Sequence, residues 1–359
     1  MRVHVFTSAA ANYQPKVRAL FASVRRVRPD WRLHLILADR RPPQGLADTG
    51  ADEVHDLADL GIPAWRSWAF CHSLVELATA VKGFALARLL ARPDCDAAIY
   101  LDPDVVVFSD LQDVVEALGD RDVLLTPHQT EPETTVAGVV AREVCTAQHG
   151  IYNLGFLAVA ARGEGPAFAA WWRERLYRFC REDIPSGLYT DQRWIDFAPA
   201  YFDRVGVLRG AHLNVAPWNL GPRRLAGRLP GSLTVNGQPL GFFHFSGVDT
   251  GGGEPFQDDP SVAGLVDWYR RETAGDGGPW AFAAFADGEE IRPEQRLVLR
   301  LRRDLQAAFA DPFASGPATF QAWWRDQAAA EFPALFDAME RPAEIARLRS
   351  ALTTGYPDA

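Results

Sequence analysis

Apolar positions along the first 130 residues switch between two periods. Val3-His4-Val5-Phe6 is a short strand-type run. After it, Val17, Leu20, Phe21 and Val24 repeat at i, i+3, i+4 and i+7, the spacing of one buried helix face, in a segment that Pro15 opens and that runs to about Arg28. Leu33-His34-Leu35-Ile36-Leu37 predicts a second strand, and residues 70–91 a helix broken or bent near Gly83. Ala97-Ala98-Ile99-Tyr100-Leu101 predicts a third strand, apolar throughout as a strand covered on both faces should be. Val123-Leu124-Leu125 predicts a fourth. Strands alternating with helices in this way predict an α/β fold, a mostly parallel sheet with helices on both sides.

Beyond residue 130 the pattern is mixed. Gly155–Ala160 reads as a strand and about 164–181 as a long helix. Ser232–Val235, then Asn236-Gly237, then Leu240–Phe245 reads as a hairpin, because Asn-Gly suits a type I′ turn. Gly251-Gly252-Gly253-Glu254-Pro255 is a breaker cluster and a candidate boundary. Helical patterns follow at about 260–273, 293–309, 318–337 and 342–352. The division expected is an α/β domain over 1–250 and a mainly helical region over 251–359.

Composition narrows the class. The 359 residues are 48% hydrophobic and 23% charged, a globular balance. A net charge of −9 speaks against a duplex nucleic-acid binder. No apolar run approaches the ~18–20 residues of a membrane span, and Met1–Thr7 lacks the apolar core of a secretory signal. Cys71, Cys95, Cys145 and Cys180 are widely spaced with no C-x-x-C, so neither a zinc ribbon nor a disulfide scaffold is indicated. A reduced, cytoplasmic protein is the expectation.

Ile99-Tyr100-Leu101-Asp102-Pro103-Asp104-Val105-Val106-Val107 carries the chemistry. Two carboxylates one residue apart sit at the C-terminal end of an apolar strand, the edge where open α/β sheets bind ligands. Like charges held on one side of an extended chain repel, and a hard divalent cation removes that penalty. Such a pair suits either a metal–diphosphate site or a haloacid-dehalogenase-like phosphatase with Asp102 as nucleophile. The phosphatase pattern expects the pair near the first strand and a later Asp-Asp after an apolar strand. Here about a hundred residues precede the pair, and Asp258-Asp259 lies in a polar loop.

Over about residues 3–250 the chain resembles the GT-A glycosyltransferases, closest to glycosyltransferase family 8. The resemblance rests on an ordered series: Ser8-Ala9-Ala10-Ala11-Asn12-Tyr13, Lys82, the D-x-D of Asp102 and Asp104, Tyr152-Asn153-Leu154-Gly155-Phe156, Tyr189-Thr190-Asp191-Gln192 and His244-Phe245-Ser246-Gly247. It implies a Rossmann-like GT-A fold and a metal-dependent transfer of a sugar from a nucleoside diphosphate, a UDP-sugar, to an acceptor hydroxyl with retention of configuration. The implied nucleotide contacts are Thr7, Ser8, Asn12, Tyr13, Lys82, Asp102 and Gly247, with Asp39 as a further candidate after the second strand. Lys82, Asn153, Gly155, Asp191 and Gln192 would meet the donor sugar, with Asp191 and Gln192 as the catalytic pair. Asp102, Asp104 and His244 would hold Mn2+ or Mg2+, and a histidine nitrogen favours Mn2+.

Two positions depart from the family: Ala10 or Ala11 replaces an acidic residue in the first loop, and Thr250 replaces a phosphate-binding lysine. Arg209, Arg223 and Arg224 are candidate substitutes. These departures keep open a binding protein without turnover. Acceptor candidates, for a glycan, lipid-linked or protein acceptor, are Asn214, Trp218 and Asn219, with Trp65, Trp68 and Trp194 as further aromatic platforms. Arg296, Arg300, Arg302 and Arg303 suggest either a solvated helix face or contact with an anionic membrane surface.

Overall fold

The computed structural model describes residues 1–42, 45–46, 48–229, 232–248, 259–275 and 277–354. The breaker cluster Gly251–Pro255, the boundary at 250, Thr250 and Asp258 lie outside the described residues. Nine strands matter for the site: β1 Val3–Ala9, β2 Arg32–Leu37, β3 Glu53–Asp56, β4 Ala97–Leu101, β5 Val105–Val107, β6 Val123–Pro127, β7 Tyr152–Ala160, β8 Val205–Val207 and β9 Phe242–His244. Seven of them form the central sheet in the order β8-β6-β7-β4-β1-β2-β3. Neighbours run parallel except for β7, which lies antiparallel between β6 and β4. The fold is thus the mixed, mostly parallel α/β sheet expected.

β1, β4 and β6 are buried at every position, which explains their unbroken apolar runs. Helix α1, Gln14–Val27, buries Val17, Leu20, Phe21 and Val24 against one sheet face, with Val5, Leu33 and Ile99. Helix α2, Leu74–Leu90, and helix α3, Gly165–Phe179, cover the other face with Phe6, Ile36 and Tyr100.

Several local expectations are corrected. The helical stretch near 70–91 runs unbroken through Gly83. It breaks at Cys71–Ser73, between a short helix Trp65–Phe70 and α2. Ser73 and Glu76 form a capping box that starts α2. Gly83 serves packing instead: a Cβ there would lie 2.7 Å from Arg173 Cα, so its absence lets α2 and α3 touch. The hairpin is shorter than expected. Thr234–Val235 pairs with Gln238–Pro239 around Asn236-Gly237, both at positive φ. The chain then leaves it, and β9 pairs antiparallel with β5. The strands β3, β5 and β8 were not anticipated, since β3 is charged and the other two are three residues long.

The C-terminal helices Pro260–Glu272 and Arg341–Thr354 match their patterns. The pattern at 293–309 divides into Pro293–Leu301 and Arg303–Ala308, with Arg302 extended between them. That at 318–337 divides into Phe320–Asp326, Ala328–Glu331 and Pro333–Phe336. Phe285, Phe313 and Phe320 close on Phe70, so the region after 277 shares the core under α2.

The basic run does not form an open cationic face. Arg296 is buried and donates to the carbonyls of Phe70, His72 and Phe282. Arg300 faces Glu76, and Arg302 pairs with Asp304 and Glu331. Internal partners thus take up three of the four arginines of the run, and Arg303 is exposed. Among the described residues, no helix is long and apolar enough to cross a membrane. All four cysteines are free.

Candidate active site

The strand order delivers the carboxylates. β4 sits mid-sheet, and its last residue, Leu101, is followed by Asp102-Pro103-Asp104 at the C-terminal edge. The chain continues directly into β5, whose partner β9 sets His244 opposite Val105. Phe245 N–H donates to Asp104 O at 2.8 Å and closes the pairing. His244 Nε2 thereby stands 3.0 Å from Asp104 Oδ1 and 3.6 Å from Asp102 Oδ2. One ligand atom from each of the three residues lies within 4.8 Å of the other two.

The histidine is aimed by its other nitrogen. His244 Nδ1 lies 3.1 Å from Asn153 Oδ1, which accepts from it and from Gly155 N–H (3.1 Å) and Asn214 Nδ2 (3.0 Å). With Nδ1–H committed to an amide oxygen, Nε2 is the nitrogen free for a metal. Gly155 is required at this spot, since a Cβ would fall 2.4 Å from the imidazole.

Lys82, midway along the buried face of α2, reaches the same place. Its Nζ is 2.8 Å from Asp191 Oδ2, 3.3 Å from Asp102 Oδ1 and 3.3 Å from Leu154 O. Burial alone would lower the lysine pKa, but Asp102 and Asp191 outweigh it and raise it well above the usual value. Burial raises the Asp191 carboxyl, against the pull of Lys82. For His244 burial is again the opposing effect; Asp104 and Asp102 overcome it and push the imidazole pKa up. Asp104 is held below the usual carboxylate range, burial notwithstanding, by His244. Three carboxylates therefore face one lysine and one histidine. With the histidine neutral the cluster is short of positive charge, and its donors are two carboxylate oxygens and one imidazole nitrogen. That donor set fits a divalent cation of the Mn2+ or Mg2+ kind.

Other expected residues divide into two groups. Ser8 joins the cluster: its Oγ donates to Ala78 O and lies 3.3 Å from Tyr100 Oη. Thr7 Oγ1 and Asn12 Oδ1 are buried without a hydrogen-bond partner among the described residues. Tyr13 lies under Lys16 Nζ at 4.4 Å, and Gly247 turns at φ 76° after β9. The second group is taken up by the fold. Asp39 is buried and accepts from Ala11, Arg40 and Ala281 N–H, tying the first loop to the C-terminal region. Gln192 accepts from Leu154 N–H (3.0 Å) and donates to His149 O (2.9 Å).

The acceptor candidates Asn214 and Asn219 are corrected. Asn214 is fully buried, with Nδ2 on Thr126 Oγ1 and Asn153 Oδ1. Asn219 bonds Ala216 N–H, His128 O and Asn214 O. Both hold the site's wall because a left-handed Asn214 needs its neighbours to fix the turn. Trp218 stands edge-on to His244 at 5.3 Å. Trp68 is buried with its indole N–H on Tyr177 O. Of the three arginines, Arg223 is buried with Nη1 on Asn214 O, and burial lowers its pKa to about 10.

Comparison with known proteins gives distant relatives. No protein-family description matches the chain. It is 26% identical over 166 residues to YfnF and 23% identical over 252 residues to YfnD, both uncharacterized proteins of Bacillus subtilis (strain 168). The matches cover 46% of this chain and 54% of YfnF, and 68% of this chain and 77% of YfnD, so the chain spans about half the length of YfnF. Similar solved structures are glycosyltransferases. The galactosyltransferase LgtC, in complex with donor and acceptor sugar analogs, is 17% identical with a TM-score of 0.43, over 76% of this chain and 95% of that one. GlyE of Streptococcus pneumoniae TIGR4 is 16% identical with a TM-score of 0.44, over 77% and 61%. Likeness at this level fixes no activity for this chain.

Two site residues escaped sequence reasoning. Tyr100 donates its hydroxyl to Asp102 Oδ1 and stacks its ring 4.1 Å from Lys82 Nζ. Strand alternation was the available signal, since residues 100 and 102 share a face. His128 Nε2 lies 3.2 Å from Asn153 Nδ2, and burial lowers its pKa to about 4. No motif marks it.

Proposed function

We propose that the chain is a metal-dependent glycosyltransferase of the GT-A kind, moving a sugar from a UDP-sugar to an acceptor hydroxyl with retention of configuration. The observation that carries this reading is the convergence of Asp102, Asp104 and His244 beside a lysine that bridges Asp102 and Asp191. Asp102, Asp104 and His244 would hold Mn2+, which supplies charge neutralisation and Lewis acidity to a diphosphate leaving group. Lys82 stabilises the charge that develops on that diphosphate, from a dry position where its charge counts for more than in water. Thr7 and Asn12, with buried oxygens still to be satisfied, are the natural contacts for the nucleoside, beside Ser8 and Tyr13.

Asp191 orients and stabilises rather than attacks. Its two oxygens are engaged by Lys82 and by Thr190 Oγ1 at 3.0 Å, which blunts nucleophilicity. Retention then follows from attack on the same face as departure, with the leaving phosphate taking the acceptor's proton. Gln192 fixes Leu154 and so positions Asn153 and Gly155 for the donor sugar. The same reasoning disfavours Asp102 as a phosphatase nucleophile, since Tyr100 and Lys82 already hold its Oδ1.

The test is a screen of nucleotide sugars for slow hydrolysis, with and without Mn2+, in wild type and Asp191→Asn. Metal-stimulated hydrolysis of a UDP-sugar that falls ~100-fold in the variant, with UDP still bound, is the expected result. Metal-dependent UDP-sugar binding with no turnover would leave a binding protein. Cleavage of p-nitrophenyl phosphate through a phosphoenzyme at Asp102 would replace the reading with the phosphatase.

A further inference from the structure

Under the far end of α2, three histidine rings line up across the sheet. His4 on β1, His34 on β2 and His55 on β3 stack with ring centroids 4.9 Å and 5.3 Å apart. His4 Nε2 lies 3.1 Å from the Asp94 carbonyl oxygen. A carbonyl only accepts, so Nε2 carries the proton of this buried ring and Nδ1 is a lone pair. That lone pair accepts His34 Nε2–H across 2.8 Å. His34 Nδ1 is left as a lone pair in turn, 3.0 Å from His55 Nε2 and 3.9 Å from Glu53 Oε2. His55 Nε2 is 3.7 Å from the same carboxylate oxygen.

We propose that His34 Nδ1, His55 Nε2 and Glu53 Oε2 form a second metal site, for a zinc-type divalent ion. Bonds of about 2.0–2.2 Å to a tetrahedral ion separate neighbouring ligands by roughly 3.3 Å, and the three observed separations bracket that value. Two imidazoles and one carboxylate are a common three-ligand zinc set, with a fourth position left for water or an incoming group. The supporting shell is already in place. His34 passes its other N–H to His4, which is anchored on a carbonyl, and Arg32 Nη2 holds Glu53 Oε1 at 2.9 Å. Arg92 Nη1 sits on Glu53 Oε2 at 3.0 Å, but it also holds Asp94 through Nε (2.9 Å) and Nη2 (3.0 Å). It therefore keeps a two-point partner when Oε2 turns to an ion.

His55 also lines a cleft of about 860 Å³ whose walls carry Arg88, Arg92, Arg173 and Arg178. Of the three ligands only His55 lines this cleft, whose arginines outnumber its one carboxylate, Glu174, so a small anion entering from it is the class of fourth ligand expected. The site is independent of the one around Asp102. Lys82 and Arg92 are ten residues apart along α2 and its end, about 15 Å at the helical rise.

Cobalt titration of the Asp104→Asn chain tests the site directly. A visible absorption band that saturates at about one Co2+ per chain, and that Zn2+ displaces, is expected. His55→Gln should abolish it while far-ultraviolet circular dichroism remains native, and Glu53→Gln decides the matter if His55→Gln does not fold. Zn2+ should raise the melting midpoint of Asp104→Asn and leave that of the ligand variant unmoved. No band in Asp104→Asn, or a band that survives both ligand substitutions, would overturn the proposal.

Discussion

The middle and the far end of helix α2 cover two charged clusters of opposite character. At its midpoint, Lys82 meets Asp102 and Asp191, with Asp104 and His244 beside them. Oxygen dominates there and negative charge is in excess. Past its end, one carboxylate, Glu53, meets Arg32, Arg92 and two imidazoles. Nitrogen dominates there and the carboxylate is already neutralised. On the proposed reading the first cluster takes a hard cation, and a diphosphate along with it, because its excess of carboxylates favours one. The second offers lone pairs rather than charge, and so selects a softer ion by ligand type. If both proposals hold, one helix serves two sites whose selectivity is set by the ratio of carboxylates to imidazoles.

The comparison breaks most visibly at Asp104. Asp104→Ala removes one of two metal carboxylates and should lower sugar-nucleotide turnover by about 10³-fold or more, measured as nucleotide release. Cobalt binding at His34, Glu53 and His55 should be untouched. Next in size is Lys82→Met, which strands the buried Asp191, and Asp102 beside it, without their cation. A loss of about 3–5 kcal/mol is expected in urea unfolding, far more than for a surface lysine.

Acid should act through the site's half-buried imidazole. Burial holds the His128 pKa down at about 4, below its usual value near 6.5 in the unfolded chain. Between those values the unfolded chain binds the extra proton, so stability falls as pH drops from 6.5 towards 4, by up to about 3 kcal/mol. Unfolding midpoints measured across that range should lose part of their slope in His128→Gln. Gly155→Ala is expected to cost about 1–3 kcal/mol and to weaken Mn2+ binding about 10–100-fold, because the new methyl group pushes the His244 ring from its place. Smallest is Gly237→Ala in the hairpin turn, where φ is +83° and space is open. About 1 kcal/mol of stability should go, with Mn2+ affinity unchanged.

How far each cluster could be read from the chain follows from its wiring. Asp102 and Asp104 are near neighbours at the end of an apolar run, so local pattern exposes them. Lys82, Asp191 and His244 have no such pattern, and only their serial order alongside the D-x-D picked them out. The start of α2 was legible but missed, because Ser73-Leu74-Val75-Glu76 is a capping box hidden in a longer apolar stretch. His4, His34 and His55 sit alone in their strands, and nothing local distinguishes them. Their meeting depends on β1, β2 and β3 being neighbours in that register, which periodicity does not encode. The reach of β9 across to β5 was lost for a related reason: Asn236-Gly237 announces a turn but not where the returning strand leaves its partner. Asn214 and Asn219 looked like polar groups awaiting a ligand, and burial turned them into the ligands of their own backbone.

The central claim is that Asp102, Asp104 and His244 bind a metal that in turn binds a nucleoside diphosphate. Calorimetric titration with UDP, with and without Mn2+, in wild type and Asp104→Ala, tests it most directly. The account predicts binding that needs Mn2+ and disappears in the variant. Binding of equal strength without metal, or in Asp104→Ala, would contradict it, as would the absence of binding for UDP and every other nucleoside diphosphate.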